Sequence, residues 1–312
     1  MGKLKTLINL MKKKDTGIIR TSFMRNFSKS KVSRIVPDKM FINMWYKAVF
    51  GKKIDFKNPK TFNEKLQWLK VYNRNPEYTK LVDKHEVKKY ITDKIGEKYV
   101  IPTLAVWDSV DDINIDSLPD QFVLKCTHDS GSIHICTDKR KFDLEAVKKV
   151  LRKKLKYNMY WWGREWPYKN VKPRIIAEKF MSDVNSKNNG SLNVYKIFCF
   201  NGIPKIIQTI QNDKTKEETI DYFDTNWNLL VLKQNFPNSK HPLSKPQTLE
   251  EMLKLAGKLT EGHPFLRADF YDINGQVYFS EHTFYSDCGM ASFEPEEWDY
   301  KLGELIDLSS IK

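Results

Sequence analysis

From residue 121 onward the chain alternates short runs of β-branched and aromatic residues with tight polar turns, and this alternation restricts the fold more than any other feature. "NVYKIFCF" and "IPKIIQTI" flank Asn201-Gly202, while "FLRADFYD" and "QVYFSEHTF" flank Asn274-Gly275. Asn-Gly tolerates positive φ at both central positions of a two-residue loop, so each pair predicts an antiparallel hairpin. Further strand signals, "FVLK", "SIHIC", "RIIAEKFM" and "TIDYFD", leave only "FDLEAVKKVLRKKLK" and "TLEEMLKLAGKLTE" as clear helices in this part. The pattern is α+β, not a doubly wound parallel sheet.

The first third reads as helical. "KTFNEKLQWLKVYN" places Phe62, Leu66 and Leu69 near 3.6-residue spacing, with Thr61 as N-cap and Glu64 three residues later as its capping-box partner. "TKLVDKHEVKKYITDKIG" predicts a second helix closed by Gly96, and "YVIPTLAVWD" then turns strand-like. The organisation expected is a basic segment over 1–40, a helical subdomain over 41–120, and two α+β subdomains over 121–190 and 191–312.

At 312 residues and 40% hydrophobic the chain has enough apolar material for a packed interior. Its longest apolar runs fall well short of the roughly 20 residues needed to cross a bilayer. The N-terminus lacks the apolar core of a secretory signal, which predicts a cytoplasmic protein. Cys126, Cys136, Cys199 and Cys288 are widely spaced, suggesting neither a disulfide framework nor a zinc site.

The net charge of +14 is uneven, since residues 1–40 hold eleven Lys or Arg against Asp15 and Asp38. With Leu4, Leu7, Ile8 and Met11 at near-helical spacing, that segment suits an anionic membrane surface, so peripheral attachment at the inner face is the expectation kept beside a plain solvated segment. "YNMYWWGREWPYKN" interleaves aromatics with basic residues as single-strand binders do. No helix-turn-helix, RNP motif or zinc finger accompanies it, so nucleic acid is not the expected partner and the cluster reads as a packed loop or a substrate wall.

Two constellations carry chemistry. In "QFVLKCTHDSGSIHIC", Lys125 ends a strand and Ser130, Gly131 and Ser132 form a small, donor-rich loop able to wrap phosphate oxygens; the plain alternative is a hairpin turn with an exposed lysine. It is neither a Walker A loop nor a dinucleotide turn. His128, Asp129 and Ser130 are the residue types of a hydrolase triad, but consecutive residues in a turn cannot face one another as nucleophile, base and orienter must. In "FLRADFYDINGQVYFSEHTF", Arg267 and Asp269 share one face of a strand, and Glu281 and Thr283 share a face of the next. The hairpin brings all four together. Either a cation sits between the acids, as Mg²⁺ with phosphate oxygens would, or Arg267 neutralises them in a salt-bridged hairpin.

Taken in order, "KTFNEKLQWLK", "DKHEVKKYI", "VLKCTHDSGS", "YKIFCFNG" and "RADFYDINGQVYFSEHTF" resemble the TupA-like branch of the ATP-grasp fold. That fold occurs in D-alanine–D-alanine ligase, and the branch is named for a protein of teichuronopeptide synthesis. The resemblance covers roughly residues 40–305. It implies two α+β subdomains gripping ATP behind a helical N-terminal region. Lys84 and Lys125 would hold the ATP phosphates, Lys125 also lying near the adenine. The Ser130–Gly131–Ser132 loop would fold over the triphosphate. Glu178, Lys179 and the backbone through Phe180 and Met181 would face the adenine, and Asp183 would take the ribose. Asp269 and Glu281 would bind Mg²⁺, with Thr283 where the ligases usually have Asn. Arg267 would stabilise the phosphate in transfer, and Lys196 would be a further phosphate or substrate contact.

The activity implied is a carboxylate-amine ligase acting through an acyl phosphate, with a uronic acid or similar carboxylate of a surface glycan and an amine as substrates. The alternatives are a glycosyltransferase, weakened by the lack of any D-x-D, and an ATP-grasp kinase that stops at phosphoryl transfer.

Overall fold

A computed structural model of the chain describes residues 17, 19–184, 192–213, 215–309 and 311. Leu4, Leu7, Ile8 and Met11 lie outside the described residues. The strands, in chain order, are β1 (Thr103–Trp107), β2 (Phe122–Cys126), β3 (His134–Cys136), β4 (Ile175–Lys179), β5 (Asn193–Phe200), β6 (Ile203–Gln211), β7 (Thr219–Asp224), β8 (Lys233–Gln234), β9 (Phe265–Ile273), β10 (Gln276–Thr283) and β11 (Phe293–Glu294). They form a four-stranded sheet ordered β1-β4-β2-β3, a five-stranded sheet ordered β10-β9-β5-β6-β7, and a small β11-β8 pair. Every strand pairing is antiparallel. Both Asn-Gly pairs close hairpins: Asn201 and Gly202 have φ of 51° and 79°, Asn274 and Gly275 of 54° and 79°. Positive φ at both positions gives the turn the twist of the strands it joins.

Each face of the five-stranded sheet has its own cover. Behind it, the Leu249–Thr260 helix buries Leu249, Met252 and Leu259 against Ile197, Ala268 and Phe270. In front, the Phe62–Tyr72 helix buries Phe62, Leu66 and Leu69 against Phe198, Phe200 and Phe265. That helix starts as its sequence predicts: Thr61 Oγ1 accepts from Glu64 N, and Glu64 Oε2 accepts from Thr61 N. The smaller sheet packs Phe122, Leu124 and Ala177 on the Leu144–Lys154 helix, leaving its other face toward the larger sheet.

Two expectations need correction. Residues 103–107 belong to the smaller sheet, pairing Val106 with Ile176, so the boundary expected near 120 cuts through that sheet. The continuous helix expected up to Gly96 is broken into Tyr78–Val82 and Glu86–Ile95. Asp83 causes the break, because its carboxylate accepts from the backbone of His85 (2.8 Å) and is held by Arg174 (2.8 Å). A side chain that offers backbone N–H groups a local acceptor competes with helix continuation.

Candidate nucleotide and phosphate-transfer site

The break delivers Lys84 to the cleft between the sheets. Its backbone N donates to Thr127 O (3.0 Å), and its ammonium donates to Asp129 O at 2.5 Å. Beyond it, the Glu86–Ile95 helix carries Lys88, which bonds Glu178 Oε1 at 2.7 Å while Lys125 takes Oε2 at 2.5 Å. Lys125 and Glu178 meet because β2 and β4 are adjacent and Val123 lies opposite Glu178. Burial disfavours charge at all three groups. For Glu178 the flanking lysines prevail and hold its carboxyl below the usual range. For Lys125 the carboxylate likewise outweighs burial and raises the ammonium, whereas at Lys88 burial prevails and lowers it.

The opposing wall is one row of the larger sheet. Glu281 lies opposite Asp269, which lies opposite Lys196; Thr283 lies opposite Arg267. Cross-strand partners point to the same face, so these side chains project together. Arg267 grips Asp269 with two bonds of 2.8 Å and donates from Nη2 to Thr283 Oγ1 (3.0 Å) and from Nη1 to Ser286 Oγ (3.1 Å). Burial opposes the Arg267 charge, but Asp269 more than restores it. Burial pushes Asp269 up against the pull of Arg267 and Lys196. Glu281 differs: burial pushes it up, yet Lys84, Arg267, Lys196 and Lys125 together hold it below the usual range. It makes no hydrogen bond and no ion pair among the described residues.

The cleft thus gathers five cationic side chains, Lys84, Lys88, Lys125, Lys196 and Arg267, against the carboxylates of Glu178, Asp269 and Glu281. An excess of positive charge suits a polyphosphate. For a divalent cation the donor set fits in part. Glu281 beside Asp269 offers hard oxygens near the cationic side chains of the cleft, as Mg²⁺ prefers when phosphates complete its shell. No cluster of three His, Cys, Asp or Glu that could hold a metal occurs among the described residues. Asp269 and Thr283 are already engaged by Arg267, which is the salt-bridged alternative realised for those two.

The other expected residues divide. Ser130 and Gly131 are exposed at the loop tip, Gly131 at φ 89°. Ser132 is not available to a phosphate: its buried hydroxyl donates to Asp129 Oδ1 (2.5 Å) and accepts from Cys126 N (2.9 Å), stapling the loop. His128 bonds Lys154 O (3.1 Å), so neither it nor Asp129 addresses Ser130. Lys179 points away from Glu178, as alternation along β4 requires, and its backbone N donates to Pro102 O (3.0 Å). Lys179 and Met181 line a cavity of about 360 Å³ with Lys88, Val100 and Tyr278, and Phe180, again with Lys179, lines a larger one of about 840 Å³ near Gln121. Asp183 lies beside Tyr195. The hinge, meaning the chain that leaves β4 through Phe180 and Met181, is tied at its end to the β9–β10 turn, as Asn274 donates to Ser182 O (3.1 Å) and accepts from Val184 N (3.0 Å).

Sequence reasoning missed Lys88 and Ser286, and it left Tyr168 between a packed loop and a substrate wall. Lys88 stands four residues after Lys84, a spacing that was itself the signal. Tyr168, from the aromatic cluster, is pushed far up by burial beside Glu165, Glu281 and Arg267. Nothing local singled out Ser286. The rest of the cluster is packing: Arg164 is fully buried, pairs with Asp38 (2.9 Å) and lies over Phe41.

The sequence model of the TupA-like ATP-grasp family matches residues 64–307. No curated protein matches the chain. Among solved structures, D-alanine–D-alanine ligase from Bacillus anthracis complexed with ATP is 14% identical, with 65% of this chain and 53% of that one covered and a TM-score of 0.37. L-amino acid ligase from Bacillus licheniformis is 15% identical, with coverages of 73% and 49% and a TM-score of 0.45. The ATP-grasp ligase PsnB, complexed with minimal precursor, Mg and ADP, is 8% identical, with coverages of 71% and 57% and a TM-score of 0.38. The chain therefore spans only about half the length of these structures.

Proposed function

The chain belongs to the TupA-like ATP-grasp family, and on that premise we propose that it is an ATP- and Mg²⁺-dependent ligase joining a carboxylate to an amine. The observation that carries this reading is the cleft itself, with its five cations, its paired Asp269 and Glu281, and a Glu281 carboxylate that makes no hydrogen bond or ion pair among the described residues. In the proposed reaction a substrate carboxylate oxygen attacks the γ-phosphorus of ATP, ADP departs, and an acyl phosphate forms. The amine nitrogen then attacks the acyl carbon, inorganic phosphate leaves, and the nitrogen loses a proton to give an amide. Lys84, Lys125 and Lys196 neutralise phosphate charge, and Arg267, fixed in orientation, meets the charge that develops in transfer. Glu281 and Asp269 are the residues that would hold Mg²⁺, which would supply further neutralisation of phosphate charge when bound.

For the substrates, we read a uronic acid or similar carboxylate of a cell-surface polysaccharide, amidated by an amino compound. The teichuronopeptide origin of the family name and the net charge of +14 support an acidic glycan. The same reading sets the protein against an anionic membrane. Ile19, Phe23, Val32, Ile35 (82% exposed), Met40 and Met44 leave large apolar side chains in solvent among Arg25, Lys29, Lys31 and Lys39. Apolar and basic groups together are what an anionic interface binds.

Phosphate release from Mg-ATP, measured with uronate and amino acids supplied together, tests the reaction. Glu281→Gln is expected to lower turnover at least about a hundredfold, and chelation of Mg²⁺ to abolish it. Unchanged turnover in both Glu281→Gln and Asp269→Asn removes the metal assignment.

A further inference from the structure

Just beyond β10, three consecutive residues stand in the left-handed region: Asp287, Cys288 and Gly289, at φ 48°, 58° and 60°. Only glycine enters that region without steric cost, so the first two are held there by their surroundings. The holding groups come from the Phe62–Tyr72 helix. Gln67 Nε2 donates to the carbonyls of Cys288 (2.9 Å) and Gly289 (2.7 Å). Lys70 Nζ donates to the carbonyls of Cys288 (2.8 Å) and Gly163 (3.0 Å) and lies 3.0 Å from Cys288 Sγ.

Both side chains are fully buried, and Lys70 has no carboxylate in ion-pair range among the described residues. The fit is close: a Cβ on Gly289 would sit 2.4 Å from Gln67 Nε2, and one on Gly163 2.4 Å from Cys288 Sγ. An apolar pair at these helix positions would avoid the desolvation cost of a buried ammonium and amide, so the polar pair answers a demand of shape rather than of stability.

The turn they hold begins at Ser286, and Ser286 Oγ accepts from Arg267 Nη1. A guanidinium has five N–H donors. Those on Nε and Nη2 are committed to Asp269 and Thr283, so the second N–H of Nη1 is left over, and the Ser286 bond sets its direction. We propose that Gln67 and Lys70 are positioning residues for phosphoryl transfer: they fix the Ser286–Gly289 turn, Ser286 fixes Arg267 Nη1, and the remaining N–H is thereby aimed at the phosphate in transfer. This role rests on the ATP-grasp reading given above.

The test titrates the full chain by calorimetry with two probes, Mg-ADP and Mg-ADP with fluoroaluminate, the second a mimic of the transferring phosphoryl group. Ser286→Ala, a small change at the turn, and Gln67→Leu are expected to weaken the fluoroaluminate complex about tenfold or more while Mg-ADP affinity stays within about twofold. Equal weakening of both probes, or no change in either, overturns the proposal. A wild-type chain that binds no Mg-ADP overturns the ATP-grasp reading itself, and a melting curve on each variant identifies loss of folding. If Gln67→Leu fails to fold, Ser286→Ala decides alone.

Discussion

Glu178 shows how much one carboxylate can organise. It holds two ammonium groups, from a helix and from a neighbouring strand, in a cleft whose other wall is also charged. Replacing it by Gln removes the direct ion-pair partner of Lys88 and Lys125, and breaking a buried pair from one side costs about 3–5 kcal/mol. Glu178→Gln is therefore expected to lower the free energy of unfolding in urea by an amount of that order at neutral pH. The sign of the pH dependence follows from the direction of its shift. A carboxyl held below its usual range stabilises the fold above that range, and the stabilisation is lost as pH falls through the folded value. The gap between wild type and variant should accordingly narrow on acidification; a gap that stays constant would remove Glu178 as the source. The placement of Lys125 and Asp269 in one cleft was legible because residue type and strand position both speak. The inward turn of the Ser132 hydroxyl was illegible, because a hydroxyl in a loop gives no sign of the direction it faces.

The Phe62–Tyr72 helix carries two unrelated tasks on its buried side. Phe62, Leu66 and Leu69 pack on the larger sheet, while Gln67 and Lys70 reach the turn after β10. Periodicity exposes the first task in the sequence but not the second, since a buried Lys among apolar neighbours reads as solvent-facing until its carbonyl partners, more than ninety residues away, are placed. The capping box was legible because its partners lie three residues apart. Thr61→Ala removes the acceptor for Glu64 N and is expected to cost about 1 kcal/mol. Chemical denaturation checks this, and Thr61→Ser, which keeps the hydroxyl, should recover most of the loss. The broken helix at Asp83 was illegible for a related reason: its acceptor role depends on Arg174, which lies just before β4 and ninety-one residues further along the chain.

At the scale of the whole molecule, the antiparallel hairpins and the covering helices followed from alternation and turn chemistry, which are local, while the division into two α+β subdomains came from the family resemblance. The membership of β1 did not, because strand signals do not say which sheet a strand joins. The basic N-terminal part is where whole-molecule charge meets exposed apolar surface, and the expected behaviour there is lipid binding. Sedimentation with phosphatidylcholine vesicles containing about 30% phosphatidylglycerol should carry the protein down, and neutral vesicles should not. Phe23→Ser with Ile35→Ser should reduce that binding several-fold and leave ATP-dependent phosphate release untouched. Equal sedimentation with both vesicle types, or self-association of the unmodified chain seen by light scattering without vesicles, would assign the patch to another occupant.

Asn274 has a consequence of its own. Its positive φ turns the hairpin, a duty Gly could perform as well, but its amide also bonds both sides of the chain leaving the hinge at Ser182 and Val184. The two duties are separable: Gly at 274 would preserve the turn and release the hinge. One residue thus makes the end of the β9–β10 pair a point of attachment for the chain that leaves β4, and the spelling Asn-Gly, interchangeable with Gly-Gly for turning alone, is here the one that also joins them.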